Sequence, residues 1–136
     1  MQWDSAPNAG FCPPGVRPWL PLAADASRVT VAGQAEDPDS LLTLTRRLIQ
    51  VRREHRVLHL GNFEPFGPTP DGTYAFRRVS PAGRLLVALN LGDAPVTVPG
   101  TGSGRVLIGT HRDRDGSAVE GGVELRPNEG LAIEER

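Results

Sequence analysis

The residues able to do chemistry lie scattered along this 136-residue chain. Acid–base or nucleophilic catalysis needs side chains that the fold brings together, one activating another. Asp113, Asp115, Glu120 and Glu124 are the carboxylates that cluster in sequence. They fall among glycines at turn and strand positions and read as solvated residues. His55 and His59 stand four apart near a helix end, the spacing of a metal-binding pair. No third ligand lies near them, His111 belongs to a distant hairpin, and the default reading is surface histidines. Asp113-Arg114-Asp115-Gly116 copies half of a calcium loop but lacks the further acidic position and the distal glutamate. It reads as a polar hairpin turn. Gly100-Thr101-Gly102-Ser103-Gly104 has the glycines of a phosphate loop, yet no lysine follows and a strand pattern comes next. Cys12 has no base partner in view. On this reading no residue is assigned to catalysis, to a metal or to a cofactor.

The opening stretch, Met1 to Phe11, is different. It is irregular and rich in Pro, Asn and Gly, yet it carries Trp3 and Phe11. Large rings are unfavourable in water, so a loop bearing two of them is expected to pack against something. Trp3 offers a flat apolar platform. Asp4 offers acceptors either to a ligand or to the N–H groups of its own loop, which is the commoner duty of an aspartate in such a segment. Trp3 and Asp4 are the candidate ligand-binding residues.

The elements that must position them follow from periodicity. Residues 1 to about 33 show none, and Cys12-Pro13-Pro14-Gly15 and Arg17-Pro18 impose turn or extended geometry. A leader this long is usually functional or disordered, so it is expected either to be tied down by a missing neighbour or to be mobile without it. A helix is predicted over residues 37 to about 56, with Asp37 as N-cap and Pro38 at the first helical position. Its stripe is Leu41, Leu44, Leu48 and Val51, broadened by Leu42 and Ile49. Arg46, Arg47 and Arg53 fall off the stripe, whereas Arg52 lands near its centre, where it needs a partner or must reach the edge.

From about residue 58 the pattern alternates. Strands are predicted at Thr73–Val79, Arg84–Leu91, Pro95–Val98, Arg105–Thr110, Gly122–Arg126 and Gly130–Glu134, separated by Asp-Gly, Pro-Gly and Asn-Glu-Gly turns. Leu85 to Leu89 is apolar on both faces and so reads as a central strand. The fold class is α+β: an extended N-terminal loop and one amphipathic helix, then an antiparallel all-β domain of Greek-key sandwich type.

Composition narrows the partners. A net charge of −1, with all fifteen basic residues arginine, gives no overall attraction to nucleic acid or to an anionic membrane. The arginines of 46–56 have no stacking aromatics interleaved. One cysteine allows no intrachain disulfide. The longest apolar run is too short to span a bilayer, and no basic-then-apolar leader follows Met1. A cytoplasmic location is the expectation.

Met1-Gln2-Trp3-Asp4, then Asn8-Ala9-Gly10-Phe11, then Pro18-Trp19-Leu20-Pro21 resemble a signature of the α-glucosidase and oligo-1,6-glucosidase branch of glycoside hydrolase family 13. The resemblance implies a catalytic (β/α)8 barrel followed by a small all-β domain, with the signature in the loop after the last barrel strand. In the family that loop carries Arg-Thr-Pro just upstream. The helix with Arg46-Arg47-Leu48-Ile49 and Arg52-Arg53 then resembles the last barrel helix, departing at Thr45, where the family tends to an aromatic, and at Arg56, where it often has proline. Residues 1–57 would be the barrel's tail and 58–136 the β domain. The family's catalytic carboxylates come from earlier barrel strands, whose motifs are absent here. The implied role is the structural C-terminal part of an enzyme acting on terminal α-linked glucose of oligosaccharides, partnered by a missing upstream barrel and inactive alone. Trehalose-forming relatives tend to another residue after the tryptophan, so Asp4 favours an α-glucosidase. The alternative is an independent carbohydrate-binding β module, for which Phe63, Phe66, Tyr74 and Phe76 are the available rings.

Overall fold

The computed structural model describes all of residues 1–136. They divide into two compact units, Met1–Arg46 and Arg47–Arg136. No helix is long and apolar enough to cross a membrane.

In the first unit the leader is tied down by hydrogen bonds rather than by a core. Pro7–Gly10 forms a short 3-10 turn, and Asn8, Ala9 and Gly10 are all left-handed, with φ of 63°, 50° and 73°. Asparagine and glycine tolerate that region; alanine is strained there. The turn is held by Trp3 N–H donating to the Ala9 carbonyl at 2.9 Å and Phe11 N–H to that of Asn8 at 3.0 Å. Asn8 Nδ2 donates to the carbonyls of Pro13 and Val16 at 3.0 and 2.8 Å, which closes the next loop.

A helix without apolar period follows, α1 (Val31–Glu36). Its first N–H groups, from Val31 and Ala32, donate to the carbonyls of Gln2 and Trp3 at 2.8 and 2.9 Å. Thr30 Oγ1 caps it by accepting from Gly33 N–H at 3.0 Å.

The main helix, α2 (Leu41–Glu54), starts in the first unit and ends in the second. It begins later than its apparent cap predicts. Asp37 ends α1 with extended backbone (φ −93°, ψ 113°), and its Oδ1 accepts from Asp39 N–H at 2.9 Å. That local turn occupies the aspartate, so Ser40 caps α2 instead, its Oγ accepting from Thr43 N–H at 3.2 Å and donating to the Gln34 carbonyl at 2.6 Å. A separate turn, α3 (Val57–Leu60), follows. Arg52 needs no buried partner because it is exposed, as are Leu41, Leu48 and Ile49, while Leu42 and Leu44 are half-buried and Val51 is the buried residue of α2.

The second unit is built on six antiparallel strands: β1 (Asn62–Pro65), β2 (Thr73–Ser80), β3 (Gly83–Asn90), β4 (Val96–Gly109), β5 (Ala118–Leu125) and β6 (Gly130–Glu135). Their order is β1-β2-β3-β6-β4-β5, which makes β3 central as its two apolar faces require. Two predicted strands are one. Pro95–Val98 and Arg105–Thr110 belong to β4, because the glycine-rich run between them is a bulge that bends the strand without ending it. Gly100 and Gly102 take φ of 71°, and the register against β5 shifts between Pro99 and Ser103. That run is therefore sheet, not a phosphate loop.

Ala75, Leu86 and Ala88 from β2 and β3 share one core with Val119, Val123 and Leu125 from β5, joined by Val98, Val106, Leu131 and Ile133. Strands at opposite ends of the order meet in one cluster only if the sheet folds over on itself. Each fully buried Leu or Ile contributes about 1.5–3 kcal/mol.

Two buried polar side chains close the ends of this sheet. Asn90 Nδ2 donates to the carbonyls of Ala94 and Arg126 at 2.8 and 2.9 Å, and its Oδ1 accepts from Gly92 N–H at 2.9 Å. Glu129 accepts from Arg126 N–H and Nη2, both at 2.7 Å, and from Arg114 Nη1 at 3.4 Å. Arg126 also grips Asp113 with both Nη atoms at 2.9 and 2.7 Å. Burial pushes the Glu129 carboxyl up, but the hydrogen bonds from Arg126 and the nearby positive charges outweigh it and hold it below the ordinary value.

A carboxyl held low in the fold contributes stability that is complete above its unfolded value and lost as pH falls through the folded one. The midpoint of urea unfolding should therefore drop as pH is lowered below the ordinary glutamate value of 4.5. Glu129→Gln should lower the midpoint at neutral pH and flatten this acid slope; an unaltered slope would remove Glu129 from the response. In the leader, an alanine at Gly10 would carry the cost of a left-handed L-residue, about 1–2 kcal/mol. Hydrogen exchange at Trp3 N–H, which closes on this turn, should then speed up about 5- to 30-fold; an unchanged rate would show that the turn does not hold Trp3.

Candidate functional site

The opening turn decides how Trp3 and Asp4 are presented. A Cβ built on Gly10 would stand 3.0 Å from Trp3 Cβ and 3.2 Å from Asp4 Oδ2, so only glycine lets the turn press this closely on both residues. The Trp3 backbone is clamped on both sides, its N–H by Ala9 and its carbonyl by Ala32 N–H. The residue is 53% exposed. Asp4 Oδ1 accepts from Ala6 N–H at 2.9 Å, a local brace that leaves Oδ2 without a hydrogen-bond partner. The pair thus holds a half-exposed aromatic residue on a clamped backbone beside a carboxylate oxygen. Bond cleavage at such a pair would need a second carboxyl or a base to share the work, and none is hydrogen-bonded to Asp4.

Phe11 does not join Trp3. It is 49% exposed and lines a neighbouring cleft of about 580 Å³ with Met1, Cys12, Arg17, Trp19 and Leu20. Trp19 is 95% exposed. Cys12 Sγ donates to the Val16 carbonyl at 3.4 Å and meets no base.

The remaining sequence candidates hold structure together or face water. Asp113 is taken by Arg126, whose hydrogen bonds hold its carboxyl below the ordinary value. Asp115 Oδ1 accepts from Gly109 N–H at 2.9 Å and so shapes the β4–β5 hairpin. Glu120 and Glu124 are exposed on β5. His55 Nδ1 lies 3.7 Å from Glu134, and His59 is exposed on α3. No three His, Cys, Asp or Glu side chains group as metal ligands would. Sequence reasoning overlooked Asn8, Asn90 and Glu129. Asn8 was visible only as a turn residue. Asn90 signalled itself as a polar residue ending an apolar strand, and Glu129 sat unmarked in a turn.

Comparison with known proteins places these features in one family. Residues 1–61 match the model of the alpha amylase catalytic domain, and residues 61–131 match a domain of unknown function, DUF3459. An alpha-glucosidase of Schizosaccharomyces pombe is 34% identical over 91 residues, 66% of this chain and 16% of that protein. An oligo-1,6-glucosidase of Heyndrickxia coagulans is 31% identical over 120 residues, 88% of this chain and 21% of that protein. An amino acid transporter heavy chain of Mus musculus is 33% identical over 122 residues, 78% of this chain and 23% of that protein. Among solved structures, isomaltulose synthase from Klebsiella sp. LX3 shares the fold with a TM-score of 0.88 at 23% identity, over 100% of this chain and 24% of that one. The trehalulose synthase MutB of Pseudomonas mesoacidophila MX-45 gives 0.85 at 26% identity, over 98% and 24%. The chain thus spans between 16% and 24% of the length of these relatives. It carries the end of an alpha-amylase-type catalytic domain followed by a DUF3459 domain, and it belongs to the alpha-amylase family, glycoside hydrolase family 13.

Proposed function

We propose that these residues are the C-terminal part of an α-glucosidase that acts on terminal α-linked glucose of oligosaccharides, and that they serve it structurally. In this reading 1–57 finishes a catalytic barrel and 58–136 is a β domain that packs on it. The partner is the upstream barrel, in the same gene product or a separate chain. The oligosaccharide reaches this part of the enzyme through Trp3 and Asp4, the ring as platform and the carboxylate as brace or acceptor. Retaining hydrolysis needs two carboxyls about 5–5.5 Å apart. The acidic residues described above are spent on arginines and turn N–H groups or stand in water, so the chemistry belongs to the barrel.

One observation carries this reading. Within Met1–Arg46 the buried hydrophobic residues are two alanines, Ala9 and Ala26, while Trp19, Leu20 and Leu41 stand open to water. A unit with rings, leucines and no core of its own makes physical sense beside a larger apolar partner.

Purified 136-residue protein should show no turnover of a nitrophenyl α-glucoside above buffer, and measurable hydrolysis would overturn the assignment of chemistry to the barrel. The nucleotide sequence ahead of the Met1 codon should read, in frame, Arg-Thr-Pro preceded by barrel strands; a stop codon there together with no separately encoded barrel would overturn the partnership.

A further inference from the structure

Strand parity divides the side chains of the β1–β2 ribbon sharply. Ala75 and Arg77 point to the core side, and Phe66 joins them, packed on the core with the Arg77 guanidinium 4.4 Å above its ring. Tyr74, Phe76 and Arg78 point the other way, and Phe63, directly opposite Arg78, shares that outer face. Of four rings available to the β domain, one is spent inside and three are left outside.

Those three form a row. The Tyr74 and Phe76 centroids are 5.9 Å apart at 44°, and those of Phe76 and Phe63 5.3 Å apart at 31°. Tyr74 is 48% and Phe63 49% exposed. At one end of the row the Tyr74 hydroxyl has no hydrogen-bond partner within the protein; at the other, Arg78 Nε is buried and out of a ligand's reach. β1 is a short, exposed edge strand, which leaves Phe63 and Tyr74 open to solvent with Phe76 half-buried between them.

We propose that this outer face is a carbohydrate-binding surface, a twisted aromatic platform for an α-linked glucose oligosaccharide, separate from the opening loop. Pyranose rings present apolar C–H faces that stack on aromatic rings and hydroxyl rims that need donors and acceptors. The row offers both, with steps close to the width of one sugar ring and a tilt suited to residues turned relative to one another. The choice of α-linked glucose rests on the function proposed above; the platform itself rests on the β domain alone.

Composition supplies the test. Tyr74 is the single tyrosine, and the two tryptophans, Trp3 and Trp19, both lie in the opening loop. The 136-residue protein with ring-labelled tyrosine is titrated with maltoheptaose, with cellohexaose as the β-linked control, while tyrosine and indole signals are followed by NMR. The Tyr74 signals should shift saturably with maltoheptaose, both indoles should stay still, and Phe63→Ala should weaken binding about tenfold through loss of one stacked ring. Phe63 lies half-exposed on an edge strand, so an unchanged urea midpoint will show that the variant is folded. A second variant, Tyr74→Phe, keeps the ring and removes only the hydroxyl; followed by calorimetry, it should bind more weakly. A silent Tyr74, equal response to the β-linked control, or undiminished binding by Phe63→Ala overturns the proposal. Indole shifts with Tyr74 silent would move sugar binding to the loop, which overturns the platform while leaving the α-glucosidase reading intact.

Discussion

Burial of apolar surface is the constraint on which this structure turns, and the two units meet it unequally. The β unit closes a core of Leu86, Leu125, Leu131 and Ile133 by folding one sheet over on itself. The first unit buries no large hydrophobic side chain. What holds it is a set of hydrogen bonds between segments distant in sequence, those from Asn8 to Pro13 and Val16 and those from α1 to Gln2 and Trp3. Such bonds contribute about 0.5–1.5 kcal/mol each, against about 1–2 kcal/mol to fix each residue's backbone. Hydrogen bonding alone does not offset the entropy of ordering a leader of this length, whereas the β unit has a buried core to do so.

Polar groups do different work in the two units. In the leader they shape backbone, and the strained left-handed Ala9 is tolerated because Asn8 and Gly10 on either side are at ease there. In the β unit they sit where the sheet's ends would otherwise leave buried carbonyls unpaired. Asn90 satisfies two carbonyls and an N–H from two different loops. Arg77 joins β2 to β6 across β3 by gripping Glu135, with Nε and Nη2 at 2.8 and 2.7 Å from its oxygens. An arginine over Phe66 and a carboxylate that is almost fully buried make one stacked, paired unit.

The β domain was legible where alternation was strong. Thr73–Val79, Arg84–Leu91 and Gly130–Glu134 match β2, β3 and β6 within a residue, because inward Ala75, Leu86, Ala88, Leu131 and Ile133 leave little freedom of register. β1 was hidden by Pro65 and by its four-residue length. The single β4 was hidden by glycines that normally signal a loop but here make a bulge. α1 was out of reach, since its six residues carry no apolar stripe and are held by carbonyls almost thirty residues away. Asp37 and Ser40 illustrate a limit of another kind. Both are good caps, and the choice between them falls to the turn that Asp37 makes with its own neighbour. The opening motif, in contrast, located Trp3, Asp4 and Gly10 together, and the geometry supplies the reason for the glycine.

Family membership alone leaves activity open, and the physics of the chain explains how. A relative named as a transporter heavy chain shares these elements with relatives named as glucosidases. In this chain the β domain rests on a sheet that closes over its own core and on polar clamps at the sheet's ends. None of these requires a reacting carboxyl. The stability of the β domain comes from Leu86, Ile133 and their neighbours and not from a substrate. What the β domain does not decide is therefore left to the residues outside its core.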